Sequence, residues 1–148
     1  MKVLMRRLTP TAKMPSRATS GSAGFDLYAD FGDYPEPCRL WPGESIKFST
    51  GISLAIPEGY FGAIFARSGL ATKQGLRPTT CVSVIDSDYR GPIYVAIRND
   101  STRTQFIRHG QRIAQLVILP CPDIEFEETE DLPETDRGIG GFGSTGEK

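Results

Sequence analysis

Short apolar runs, broken by Gly, Pro and Asp, recur about every ten residues, and helical spacing of apolar positions is scarce. The pattern is that of an all-β sandwich or closed barrel. Strands are expected over Val3 to Leu8, Ser22 to Ala29, Ser45 to Ile56 with an interruption at Gly51, Tyr60 to Ala66, Tyr94 to Arg98 and Gln111 to Leu119. Thr9 to Ser20 forms a loop and Pro57-Glu58-Gly59 a tight turn. Within Phe25-Asp26-Leu27-Tyr28, alternation turns Asp26 away from the core-side pair Phe25 and Leu27. One short helix is expected in Arg67 to Gly75, with Ser68 as its cap and Gly75 as its end.

Two β-branched runs between Val82 and Val95 flank Asp86-Ser87-Asp88-Tyr89-Arg90-Gly91, which predicts a hairpin. Alternation then sets Val82, Val84 and Asp86 on one face, so that Asp86 ends an apolar row. A semi-buried carboxylate suits a general base; equally, Asp86 and Asp88 suit an ordinary turn.

Composition narrows the chemistry. At 148 residues the chain has the size of one domain, and 17 Lys+Arg against 18 Asp+Glu leave no basic field for nucleic acid or membranes. No apolar run approaches the roughly 20 residues of a membrane helix, and no signal-peptide core is visible, so a cytoplasmic protein is expected. Cys38, Cys81 and Cys121 are odd in number and widely spaced, which suits reduced thiols. His109 is the only histidine and falls in a turn, so histidine-based triads and zinc sites are disfavoured; a metal here would be a hard, oxygen-bound ion such as Mg²⁺.

Two segments suit an anion. Arg67-Ser68-Gly69 opens the helix with a cation and exposed amides, although an ordinary helical turn has the same composition. The second lies beyond an acidic stretch, Glu125 to Asp136, where Arg137 to Gly146 combines glycines with Phe142, Ser144 and Thr145. Such a tail can wrap a phosphate and stack on a ring, or be a plain flexible terminus. The expected division is a β-barrel core over 1–124, and an acidic arm with a flexible glycine-rich lid over 125–148.

In this order the segments resemble the five motifs of the trimeric dUTP diphosphatase (dUTPase) family. Ala23 to Ala29 looks like the first, Arg67 to Ala71 the second, Val84 to Gly91 the third, Gly110 to Leu116 the fourth and Arg137 to Gly146 the fifth. The resemblance implies a distorted jelly-roll subunit, a homotrimer with shared sites, and Mg²⁺-assisted hydrolysis of dUTP to dUMP and pyrophosphate. It further implies Asp86 as the base for the attacking water and Asp26 as holder of metal-bound water. Arg67, Ser68, Gly69 and Gln115 would bind the phosphates, and Arg137, Ser144 and Thr145 the γ-phosphate. Tyr89 would pack on the deoxyribose, Phe142 would stack on the uracil, and Thr80, Ser83 and Val84 would line the base.

Two positions depart from the family's pattern: Thr80 where Asn is usual, and Ser83 where Gly is usual. They leave open a related nucleotide diphosphatase with altered base preference; a nucleotide-sensing regulatory protein on the same fold is a separate alternative, against which Asp86 and the complete tail argue. A zinc-dependent base deaminase is disfavoured, because the H-x-E and P-C-x-x-C signature is missing.

Overall fold

The computed structural model describes residues 1–34 and 36–141. Eleven strands and one helix are assigned: β1 (Leu4–Arg7), β2 (Phe25–Tyr28), β3 (Cys38–Leu40), β4 (Ser45–Ser49), β5 (Ile52–Ala55), β6 (Tyr60–Phe65), α1 (Ser68–Gln74), β7 (Leu76–Pro78), β8 (Ser83–Ile85), β9 (Tyr94–Asn99), β10 (Gln105–Ile107) and β11 (Arg112–Pro120). They form a four-stranded sheet β2-β11-β6-β8, a three-stranded sheet β4-β9-β7, and the pairs β1-β5 and β10-β3. All pairings named below are antiparallel. One apolar cluster draws on all four sheets, with Leu27, Leu40, Ile52, Ile64, Ile97 and Ile113 among its fully buried members. The all-β reading therefore holds.

The interruption at Gly51 is a bend with positive φ (67°), and it is packed as well as turned. A Cβ built there would lie 2.8 Å from both the Ala12 Cβ and the Asp30 Cγ. Asp30 is buried, accepting hydrogen bonds from the Thr9 hydroxyl, from the Thr11 hydroxyl at 2.6 Å and from the Gly32 amide at 3.3 Å. Burial by itself pushes the Asp30 carboxyl up, but the bonds from Thr11, Thr9 and Gly32 outweigh it and hold the group below its ordinary value. Its contribution to stability is thus present above pH about 4 and is lost as the pH falls through the lowered folded-state value. Gly51→Ala combines left-handed backbone strain with these contacts, and is expected to cost about 2–3 kcal/mol, read as a lower urea midpoint at unchanged slope.

The expected hairpin does not form. β8 pairs with β6, whereas β9 pairs with β4 and β7, so the two apolar runs belong to different sheets. The connection from Asp86 to Ile93 exceeds the roughly two to five residues of a hairpin loop. Pro92 lacks the amide a ladder needs, and Ile93 bonds instead to the β4–β5 bend, through its N–H to Ile52 O (2.9 Å) and its carbonyl from Thr50 N–H (3.1 Å). Runs of like composition look the same whether they pair with each other or with strands elsewhere.

The helix also differs in one detail. Arg67, in extended conformation, is the N-cap; Ser68 is the first helical residue, and no side chain caps the end. Gly75 does end the helix, at φ 67°.

Candidate active site

β11 is the strand on which the site is built. Its Gln115 is registered against Asp26 of β2 on one side and Phe65 of β6 on the other, so these three side chains share one face of the sheet. Two residues beyond Phe65, in extended backbone, Arg67 falls on the same face. Opposite that face, Leu27, Ile64 and Leu116 fill the core. The alternation expected for Asp26 is present, but the carboxylate is not left to solvent.

Asp26 is 8% exposed, and two guanidinium groups account for that burial. Arg67 Nε donates to Oδ1 at 2.7 Å and Arg112 Nη1 donates to Oδ2 at 3.1 Å. Arg67 is held through its Nε, which leaves its two terminal nitrogens for an incoming anion. The cluster of one carboxylate and two guanidinium groups carries net positive charge beside the exposed Ser68 and Gly69 that open α1. Gln115 Nε2 donates to the Ala66 carbonyl at 2.8 Å, fixing the backbone just before Arg67.

Three contributors were not anticipated from the sequence. Arg112 carries no role in the motif pattern, yet a buried carboxylate requires compensating charge, and that requirement is the available signal. Gly24 faces the Gln115 side chain: a Cβ there would lie 2.6 Å from Gln115 Oε1. Gly24→Ala is therefore expected to displace Gln115 and lower kcat/KM about tenfold with little loss of thermal stability, a split that parallel kinetics and melting would read. Arg90 is the third, and it braces the loop described next.

Asp86 lies in a turn closed by Tyr89 N–H to the Asp86 carbonyl (3.2 Å). Arg90 Nη1 donates to the carbonyls of Ser87 (2.5 Å) and Tyr89 (2.9 Å). The Tyr89 ring folds over Gly91, where a Cβ would come within 2.6 Å of Tyr89 Cζ, and its hydroxyl donates to the Pro92 carbonyl at 3.1 Å. Alternation in β8 has the expected phase, but the Val82, Val84 and Asp86 face points outward, with Val84 57% exposed. The semi-buried position expected for Asp86 is not supplied by its own chain.

Nor does one chain bring the predicted residues together among those described. Ile85 is registered against Gly62, which sets Asp86 level with Phe61. From Phe61 to Arg67 the strand path is about 20 Å at roughly 3.3 Å per residue. Asp26, Arg67, Arg112 and Gln115 thus form one constellation, and Asp86 with Tyr89 another. Thr80 and Ser83 sit at the start of β8, with their hydroxyl oxygens 2.6 Å apart. Arg137 is exposed in a turn closed by Gly140 N–H to its carbonyl (3.1 Å). Phe142, Ser144 and Thr145 lie outside the described residues.

Among the described residues no group of three or more His, Cys, Asp or Glu could hold a metal ion. A protein cage for Mg²⁺ is therefore not what this donor set suits. An ion carried on phosphate oxygens fits it, since a carboxylate has about four lone-pair sites and Asp26 uses two, leaving room for metal-bound water.

Comparison with known proteins converges on one family. A family model described as dUTPase matches residues 10–146. The deoxyuridine 5'-triphosphate nucleotidohydrolase of Dictyoglomus turgidum is 42% identical over 146 residues, covering 99% of both chains. That of Caulobacter vibrioides is 47% identical over 133 residues, 90% of this chain and 85% of the relative. A solved Staphylococcus bacteriophage 80alpha dUTPase with dUPNHPP superposes with a TM-score of 0.83 at 28% identity, covering 98% of each chain. A family match over residues 10–146, with relatives at 42% and 47% identity over nearly the full length, makes the chain a member of the dUTPase family.

Proposed function

We propose that the protein hydrolyses dUTP to dUMP and pyrophosphate, with Asp86 of one subunit acting on a substrate whose phosphates are held by Arg67, Ser68, Gly69 and Gln115 of another. The observation that carries this reading is the Arg67 guanidinium, tied to Asp26 through Nε with its terminal nitrogens left for an anion. Asp86 accepts a proton from water as the water oxygen bonds to the α-phosphorus. The bond from that phosphorus to the bridging oxygen breaks, and pyrophosphate leaves with the electron pair. Arg67 and Gln115 stabilise the charge that grows on the leaving group. Mg²⁺ bound to the triphosphate, with Asp26 holding its water, would neutralise further charge there.

Tyr89, folded over Gly91, offers its ring face to the deoxyribose, leaving no room for a 2′-hydroxyl. Thr80, Ser83 and Val84 meet the base. Arg137, Ser144 and Thr145 grip the γ-phosphate, and Phe142 stacks on the uracil as the tail closes.

The gap between the two constellations is what a homotrimer with shared sites resolves. β1 is paired on one side only, and beside it lies an apolar groove of about 500 Å³ lined by Val3, Leu4, Met5, Met14, Phe25 and Leu116. After β11 the described residues, to 141, form no strand or helix, with Ile124 67% and Phe126 95% exposed on alternate positions. Such an arm suits the groove of a neighbouring copy, where burying each of these side chains is worth about 1.5–3 kcal/mol. Cytoplasmic location is part of the same proposal; no helix among the described residues is long and apolar enough to cross a membrane.

The test is pyrophosphate release by the purified protein with dUTP, dCTP, dTTP and UTP in Mg²⁺. The reading expects release from dUTP and none from UTP. Tight nucleotide binding without release from any of the four would favour the nucleotide-sensing alternative.

A further inference from the structure

β3 and β4 follow one another and are joined by a tight turn, closed by Glu44 N–H to the Trp41 carbonyl (3.0 Å). They do not pair. β3 pairs with β10 and β4 with β9, so the two strands splay and a groove of about 530 Å³ opens between them. Its apolar lining includes Ile46 and Phe31, whose ring stacks on the buried Phe48 at 5.7 Å between centroids. Cys38 adds a thiol that stays neutral, because burial, and after it the Glu44 charge, push it above its ordinary value.

Two cations reach this lining, Arg39 from β3 and Lys47 from β4. Each rests on a ring: the Arg39 guanidinium lies 4.4 Å from the centre of Trp41, and the Lys47 ammonium 4.6 Å from that of Tyr94. Among the described residues neither enters an ion pair. A ring holds a cation in place through its face and leaves the N–H donors for a ligand.

A ligand that uses the whole groove carries a flat ring for the Phe31 side and about two negative charges for the cations. A carboxylate supplies one charge; a phosphate monoester supplies about 1.5 to 2 at pH 7. Among the described residues no amide or carboxylate side chain lines the groove to read a base edge, so a base is held by its face, which every nucleobase offers. The geometry points to a separate nucleotide site in the β3–β4 groove, which takes a nucleoside 5′-monophosphate of any base, with the phosphate between Arg39 and Lys47 and the base over Phe31. It shares no residue with the constellations of Asp26 and Asp86 and does not depend on the dUTP reading.

Trp41 is the only tryptophan, so its emission reports on the Arg39 that covers it. AMP is titrated into the full-length protein, with and without a stoichiometric amount of a non-hydrolysable dUTP analogue, and equilibrium dialysis with labelled AMP counts what is bound. Saturable binding with a midpoint at or below about 1 mM is expected, accompanied by a change in Trp41 emission and unaltered by the analogue. Adenosine and inorganic phosphate should each bind at least about tenfold more weakly, since each engages one half of the groove. Lys47→Gln, at an exposed position, should weaken AMP about tenfold at an unchanged melting temperature. Dialysis that finds no saturable binding, displacement of AMP by the analogue, adenosine binding as tightly as AMP, or an unchanged affinity in Lys47→Gln overturns the proposal. None of these results bears on pyrophosphate release from dUTP, which is measured separately.

Discussion

Asp86→Asn is expected to lower kcat for dUTP by about 10²–10⁴-fold while leaving the affinity for a non-hydrolysable dUTP analogue within about threefold of wild type. The substitution keeps size and one acceptor oxygen but removes the carboxylate proposed to take the proton. It should not disturb the loop, because the bonds that shape it run to backbone carbonyls: Tyr89 N–H to Asp86 O, and Arg90 to Ser87 and Tyr89 O. The Asp86 side chain is exposed in its own chain and, among the described residues, makes no side-chain hydrogen bond or ion pair. Single-turnover and binding measurements on the same preparation separate the two effects. A kcat near wild type would contradict the role assigned to this carboxylate.

Truncation before Arg137 is expected to have an effect of similar kind, lowering kcat about a hundredfold, with a melting temperature within about 2 °C of the full-length protein. The structural half of that expectation follows from exposure: from Cys121 to Ile139 every residue is exposed, and no strand or helix is formed. Among the described residues, those removed form no strand or helix and add nothing to the buried apolar cluster. The kinetic half follows from chemistry, since Arg137, Ser144, Thr145 and Phe142 are the groups suited to close a triphosphate site behind its substrate. Full activity in the truncated protein would end the lid assignment. A large drop in melting temperature would show that the tail belongs to the fold.

How much of this was legible in the sequence depended on whether the determining interaction was local. Gly51, Gly59 and Gly75 punctuate the chain where the backbone turns with positive φ, and a turn is a local event, so the strand and helix ends fell close to expectation. Asp26 turned away from Leu27 as alternation required. The Asp86 segment was a turn as its composition indicated, but its two flanking runs paired with β6 and with β4 and β7, partners set by long-range packing. Arg112 and Gly24 escaped notice for the same reason: each matters only because β11 lies beside β2, bringing Arg112 to Asp26 and Gln115 to Gly24. Composition favours Ser68 as the cap because its hydroxyl can accept from an amide N–H; the chain instead enters α1 from extended Arg67, whose side chain is engaged with Asp26.

The same distinction governs the site as a whole. Motifs name the residues but not the chain that delivers them, and the register of β8 on β6 is what separates Asp86 from Arg67 along the sheet. That separation is bridged, in the proposed function, by a working site that joins Asp86 of one subunit to Arg67 of another.

Mixing Asp86→Asn with Arg67→Ala tests this most directly. Each variant alone should be nearly inactive. After equal amounts are unfolded, mixed and refolded together, random assembly should restore about a quarter of wild-type pyrophosphate release from dUTP, because that share of sites draws an intact Asp86 and an intact Arg67 from different chains. Activity no greater than the sum of the two parents, in a mixture shown to have exchanged subunits, would contradict the claim.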